Sequence, residues 1–234
     1  MSCKIDRRLT YYMMIDTETA NTQRIDGKLF MKDAQVYDVG IAIVDRYGRI
    51  YVRFSIVVTD TFDYLTEAMQ SAYYADKLPQ YYAQLENGER VRMSLYEVRK
   101  LVCELMEEYN VRAVIAHNAR FDYNALNATQ RYTTKSKYRY FFPRGTEIWD
   151  TMKMAQDVFT VRPTYKRFCE QHGYMTKHKT PRPQVTAEVV YRYLTNNPDF
   201  VEAHTGLEDV EIETAIFSAC MRAHKKMRRK LWED

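Results

Sequence analysis

What this chain lacks narrows its class before any motif is read. No stretch approaches the roughly 20 consecutive apolar residues of a membrane-spanning helix. The apolar run from Leu9 to Ile15 is too short for a secretory leader and stops on Asp16. Cysteines are few, at Cys3, Cys103, Cys169 and Cys220, and none forms a Cys-x-x-Cys pair, so neither a zinc site nor a disulfide framework is indicated. These absences lead to the expectation of a cytoplasmic protein with no membrane association. A strong charge of one sign is missing too: 35 Lys and Arg against 31 Asp and Glu leave +4, which permits a polyanionic partner without demanding one. What the chain does have is bulk. Hydrophobic residues make up 46% of 234 positions, enough for one sizeable core, and a single domain over residues 1–234 is expected.

The stretch that organises the rest is Tyr-Met-Met-Ile-Asp-Thr-Glu-Thr, Tyr12 to Thr19. Residues two apart on an extended strand point the same way. Asp16 and Glu18 therefore project side by side from a strand otherwise built for burial. Like charges held that close resist ionising unless a cation sits between them, and hard oxygen ligands suit a divalent metal. The plainer reading is a strand end entering a polar loop. Further carboxylates would decide between the two.

After a polar loop from Ala20 to Asp33, the apolar runs Val36 to Val44 and Ile50 to Val58 flank Asp45-Arg-Tyr-Gly48 and read as an antiparallel hairpin. From Thr61 to Glu89 the pattern is helical but irregular, with Leu65, Met69, Tyr73 and Tyr74 near helical spacing and Pro79 interrupting, as expected of an insertion over the sheet. Ser94 with Glu97 is a capping-box signature. Leu95, Val98, Val102, Leu105 and Tyr109 then line one helical face. Val111 to Ala116 is a short run suited to a buried strand, followed by His117-Asn-Ala-Arg-Phe-Asp122 and a helical pattern through Leu126. A strand-to-helix junction of this kind lies at the edge where open α/β sheets place ligands. Asp122 is thus the third candidate carboxylate, or simply an acid favoured at a helix N-terminus.

Gln130 to Gly145 carries Arg131, Lys135, Lys137, Arg139 and Arg144 with no acid, interleaved with Tyr132, Tyr138, Tyr140, Phe141 and Phe142. Cations and rings together suit single-stranded nucleic acid; a solvated loop with its aromatics turned inward is the competing reading. Glu147 to Asp150 reads as a short strand, with helices over Thr151 to Val158, Pro163 to Gln171 and Val185 to Thr195. Thr205 and Glu208 form a second capping box, so a long helix should begin at Gly206, with Leu207, Val210, Ile216, Cys220, Ala223 and Met227 on one face. On a continuous helix His204 and Asp209 would point about 140° apart. A cap at Thr205 leaves His204 outside the helix, free to fold back toward Asp209. The terminal cluster Lys225, Lys226, Arg228, Arg229 and Lys230 reads as cations suited to a helix C-terminus.

Asp16, Glu18, Asp122 and Asp209, with His204, are the set to explain. Here the sequence resembles the DEDDh, or DnaQ-like, family of 3′-to-5′ exonucleases, the group of the DNA polymerase III epsilon subunit, RNase T and oligoribonuclease. Asp16-Thr-Glu18 resembles the family's first motif, His117 to Asp122 the second, and His204 with Asp209 the third. A histidine five before the aspartate, with Thr205 where the tyrosine subtype has Tyr, selects the histidine subtype. Asp150-Thr-Met-Lys-Met-Ala155 is similar to a further family segment. Residues 61–89 and 130–145 match no motif. Gly206, where many members have Ala, is a minor departure.

The resemblance implies an α/β, ribonuclease-H-like fold: a mixed five-stranded sheet, first three strands antiparallel, flanked by helices. It implies a hydrolase acting on single-stranded DNA or RNA with a free 3′ end and releasing 5′-mononucleotides. Two Mg²⁺ or Mn²⁺ ions about 3.5 to 4 Å apart clamp the attacking and leaving oxygens in such sites. Asp16 would bridge them, with Glu18, Asp122 and Asp209 completing the set and His204 acting as general base. Thr17, Thr19, Asn118 and Phe121 are expected to contact the terminal nucleotide, and His117 to be structural rather than catalytic. A polymerase or repair partner and a homodimer are both compatible. Two alternatives stay open: a nucleic-acid-binding or polymerase-associated module of the same fold, and a structure-selective nuclease.

Overall fold

The computed structural model describes residues 5–20, 23–25, 28–30, 34–70, 72, 75–134, 139–202 and 204–233. The chain opens with β1 (Tyr11–Ala20), β2 (Gln23–Ile25), β3 (Lys28–Phe30), β4 (Gln35–Asp45) and β5 (Ile50–Val58). The helical insertion follows as α1 (Thr59–Phe62), α2 (Thr66–Gln70), a 3-10 turn (Ala75–Lys77) and α3 (Leu78–Glu86). Then come β6 (Val91–Met93), α4 (Leu95–Glu108), β7 (Val114–Ala116), α5 (Arg120–Thr133) and β8 (Ile148–Asp150). The last elements are α6 (Thr151–Phe159), α7 (Pro163–His172), α8 (Ala187–Thr195) and α9 (Gly206–Arg222). Among the described residues no helix is long and apolar enough to cross a membrane.

Among the described residues the main sheet is mixed and six-stranded, in the order β6-β5-β4-β1-β7-β8. β1, β4 and β5 pair antiparallel, as the hairpin pattern predicts, while β7 joins β1 and β8 joins β7 in parallel. The expected count of five is corrected by β6, which adds parallel to the outer edge of β5. Three residues, Val-Arg-Met, are too few to show a period of two, so the strand left no signal in sequence. The polar loop expected from Ala20 to Asp33 also holds a small separate β2-β3 hairpin. Tyr73, Tyr74, Lys135, Lys137 and Tyr138, singled out above, lie outside the described residues.

β1 is apolar without alternation because both its faces are covered. Tyr11, Met13 and Ile15 pack in one cluster with Val98, Val102, Ala125 and Leu126 of α4 and α5. Tyr12 and Met14 pack in a second with Met154, Val158, Val210 and Phe217 of α6 and α9. Met13, Met14 and Ile15 are essentially fully buried, each contributing about 1.5–3 kcal/mol. The strand can leave this double core only at its carboxyl end, which is where Asp16 and Glu18 stand.

Several local expectations are met atom for atom. The Ser94 hydroxyl and the Glu97 side chain form the reciprocal capping box of α4. Asp45 Oδ1 accepts the Tyr47 and Arg49 amides at 2.8 and 3.1 Å, closing the β4-β5 turn through Gly48 at φ 82°. Pro79 does not interrupt a helix but sits in the first turn of α3, where its missing N–H is harmless. The basic tail behaves differently from expectation: α9 ends at Arg222, and the Lys and Arg residues do not cap it. Instead the Asp150 amide donates to the Arg229 carbonyl and the Leu231 amide to the Ile148 carbonyl, so the tail straps the free edge of β8.

The insertion is tied to the core through Asp38 of β4, which is fully buried. Its carboxylate accepts the Tyr81 hydroxyl at 2.7 Å and the Gly206 amide at 3.0 Å, and pairs with buried Arg90. Arg90 also lies over the Tyr81 ring, 4.2 Å from its centre. One carboxylate thus joins α3, the segment before β6 and the start of α9. Arg90→Met is expected to leave that charge uncompensated and to cost about 3–5 kcal/mol, read as a lowered denaturation midpoint. An unchanged midpoint would mean that the pair does not anchor the insertion.

Candidate active site

Three backbone devices bring the acids to one place. At the end of β1, Asp16 and Glu18 share a face, while Thr17 on the other face donates both its amide (3.0 Å) and its hydroxyl (2.8 Å) to Asp122 Oδ1. After β7 the chain turns at Asn118, φ 62°, whose amide donates to Asp150 Oδ1 at 3.1 Å. That turn starts α5 with Asp122 in its first turn, where the helix dipole favours an acid. Finally α9 begins directly on β4: Gly40 pairs with Asp16 in the sheet, and a Cβ on Gly40 would lie 2.0 Å from the Gly206 carbonyl oxygen. A Cβ on Gly206 would lie 2.5 Å from the Gly40 nitrogen. Gly206 is therefore no minor departure, because backbone meets backbone there.

The resulting cleft, about 320 Å³, is lined by Asp16, Thr17, Glu18, His117, Asn118, Phe121, Asp122, Met152, Thr186, Ala187, Glu202, His204, Asp209 and Glu213. Eight of the nine site residues expected from sequence are in that set; Thr19, buried, does not line the cleft. Thr17 lines it while its donors hold Asp122, so its task in the structure is to position that acid. Two carboxylates were missed. Glu213 is four residues beyond Asp209 and hence on the same helical face, a signal available in the sequence. Glu202 precedes His204 by two residues on an irregular segment, where no periodicity could have marked it.

Burial dominates the electrostatics. It pushes Glu18 up to about 9, with Asp209 and Asp38 adding to the shift, and Asp209 up to about 8, with Glu202 adding. Asp122 rises to about 7 by burial, although the Thr17 hydrogen bonds pull it down. Asp16 is raised by burial and then by Glu213, and Glu213 by burial and then by Asp122 and Asp209. Asp16 Oδ2, Asp209 Oδ1 and Glu213 Oε2 are buried with no hydrogen-bond partner among the described residues. A group of hard oxygen donors, crowded, buried and unsatisfied, fits divalent cations of the Mg²⁺ or Mn²⁺ type.

The two histidines are used differently. His117 has both nitrogens engaged, Nδ1 with the Thr151 hydroxyl at 2.9 Å and Nε2 with the Val185 carbonyl at 2.8 Å. Because a carbonyl only accepts, Nε2 carries the proton and Nδ1 accepts from Thr151. His204 stands just before α9 in a left-handed conformation, φ 52°, and its backbone amide donates to Asp209. Its ring is half exposed, and its coordinating nitrogen lies within 4.8 Å of oxygens of Glu18 and Asp209. The capping box expected at Thr205 does not form: its hydroxyl donates to the Glu208 side chain at 2.7 Å and accepts no helix amide, although α9 does begin at Gly206 as expected. Burial, and then Lys77 of the insertion, lower the His204 pKa, so the imidazole is neutral at pH 7.

Comparison with solved structures recognises this architecture. The chain superposes on the nuclease domain of 3′hExo, a DEDDh family member bound to rAMP, with TM-score 0.61 and 14% identity, covering 96% of this chain and 98% of that one. A full-length 3′-exonuclease aligns with TM-score 0.57 and 13% identity over 94% and 85% of the two chains. A 3′-exonuclease recognising a histone mRNA stem-loop aligns with TM-score 0.56 and 14% identity over the same shares. No family model and no curated protein matches the sequence. The fold is therefore the ribonuclease-H-like fold of these nuclease domains, with one strand more than expected.

Two outcomes follow from the packing and the charge. Gly206→Ala must push α9 off β4 and is expected to cost about 1–3 kcal/mol; unchanged melting would refute the close contact. The raised carboxyl groups stabilise the fold below the ordinary carboxylate range, and that stability is lost as pH rises through about 7 to 9. Melting of the metal-free protein should therefore fall between pH 5 and pH 9, Mn²⁺ should restore it at the alkaline end, and Glu213→Gln should flatten the metal-free profile. A profile rising with pH would contradict the assignment.

Proposed function

We propose that this protein is a metal-dependent 3′-to-5′ exonuclease that hydrolyses phosphodiester bonds at single-stranded DNA or RNA 3′ ends. The observation that carries the reading is the meeting of Asp16, Glu18, Asp122 and Asp209 with His204 in one cleft. The shared fold with 3′-exonuclease domains supports it, one of them bound to a nucleoside monophosphate, rAMP, the class of product proposed here. Asp16, Glu18, Asp122 and Asp209, with Glu213 as a fifth, would hold divalent ions, which when bound would supply counter-charge for the phosphodiester and a more acidic water.

The chain's own residues supply the rest. Neutral His204 takes the proton of the water that attacks the terminal phosphorus. The bond from phosphorus to the preceding 3′ oxygen breaks, that oxygen takes a proton from solvent to leave the shortened strand with a 3′-hydroxyl, and the 5′-mononucleotide is released. Thr17 holds Asp122 in place, and Phe121, with Asn118, lines the cleft where the last nucleotide would stack. A binding module of this fold is the weaker alternative, since converging acids repel phosphate unless cations are held between them.

The test is degradation of 5′-labelled single-stranded DNA and RNA with Mg²⁺, with Mn²⁺ and with chelator. The expected result is a metal-dependent ladder shortening from the 3′ end, abolished in Asp16→Ala and slowed roughly 10²- to 10⁴-fold in His204→Ala. Cleavage of circular substrates would instead favour a structure-selective nuclease. Intact oligonucleotides under every metal condition would leave the binding module as the reading.

A further inference from the structure

A second cavity, about 400 Å³, lies on the other flank of the first turn of α5. Its walls are aromatic, from Tyr123, Tyr140, Phe142 and Trp232, and among the described residues its lining includes Arg144 and no acid. Phe142 is buried and stacks on Tyr123 with the rings 13° from parallel, whereas Tyr140 and Trp232 are 61% and 65% exposed. Trp232 stands edge-on to Tyr123, 5.6 Å between ring centres, and the Arg120 guanidinium lies over its face at 5.6 Å. The nearby Glu147 carboxylate is committed to Trp149, Arg112 and Lys230. The tail strap along β8 is what presents Trp232 here, since the Leu231 amide bonds to the Ile148 carbonyl.

We propose that this cavity is a second nucleobase site, in which an internal base of the single strand stacks on Trp232 and Tyr140 while Arg120 and Arg144 meet its phosphates. Exposed rings beside cations are the complement of a base on an anionic backbone, and Glu233, next to Trp232, is engaged by the Arg229 and Lys230 amides. The same turn of α5 serves both cavities: Phe121 and Asp122 line the acidic cleft, Tyr123 this one. A helix is about 10–12 Å across, so a strand reaching from one cavity to the other must pass around it. The direction of the strand rests on the exonuclease reading; the stacking site itself does not.

The experiment follows tryptophan fluorescence during titration with oligothymidylates of two and eight nucleotides in chelator, and then compares kinetics with Mn²⁺. Trp149 is buried and Trp232 exposed, so quenching is assigned by its loss in Trp232→Phe. The eight-mer is expected to quench and the dinucleotide not. Trp232→Ala and Tyr140→Ala should each weaken the eight-mer by roughly five- to hundredfold, leaving dinucleotide hydrolysis unchanged. An eight-mer that quenches but is never cleaved would sink the exonuclease reading and leave this site standing. Cleavage with equal KM for both lengths, or eight-mer affinity unchanged in both folded variants, would overturn the site and spare the exonuclease.

Discussion

Like charges do not gather in a protein interior unless something else holds them there, and this fold is arranged around that constraint. Asp16, Glu18, Asp122, Asp209 and Glu213 face one cleft, most of them buried and several with an oxygen that finds no donor. Their repulsion is borne by the two apolar clusters packed on either side of β1, which leave its carboxyl end no other position. The site is thus a crowded feature of a well-packed sheet, the situation in which a bound cation would contribute to stability.

A second carboxylate shows how the crowding is contained. Asp38 is as buried as the site acids but fully satisfied, by Arg90, Tyr81 and the Gly206 amide. It lies opposite Glu18 in the β1-β4 register, so the satisfied and the unsatisfied acid are neighbours. Through it the insertion between β5 and β6 holds the start of the helix that carries Asp209 and Glu213. The same insertion brings Lys77 into the field of Glu18, Asp209 and His204. A segment that matches no family motif is therefore part of what shapes the site.

The segment from Gln130 to Gly145 divides in the same way between core and surface. Phe141 and Phe142 turn inward, as a solvated loop with buried aromatics would have them, while Tyr132 and Tyr140 stay exposed. The Asn127 side chain accepts the Phe141 amide at 2.8 Å and Arg99 donates to its carbonyl at 2.8 Å, which pins the inward pair. Composition could not separate inward from outward rings, because it does not say which ring faces which way.

The sequence by itself determined what depends on near neighbours along the chain. Strand and helix periods, the Ser94 box, the Asp45 turn, the pairing of Asp16 with Glu18 and the spacing of His204 to Asp209 are all written within a few residues. Convergence of the four acids was legible through motif resemblance, and Glu213 through its helical spacing. Only the tertiary structure decided the rest: β6, the tail on β8, the partners of His117, the hold of Thr17 on Asp122, and the contact of Gly40 with Gly206. Each joins residues distant in sequence through a short pairing, a few hydrogen bonds or a single close approach. Such contacts leave no period, so nothing local in the chain announces them.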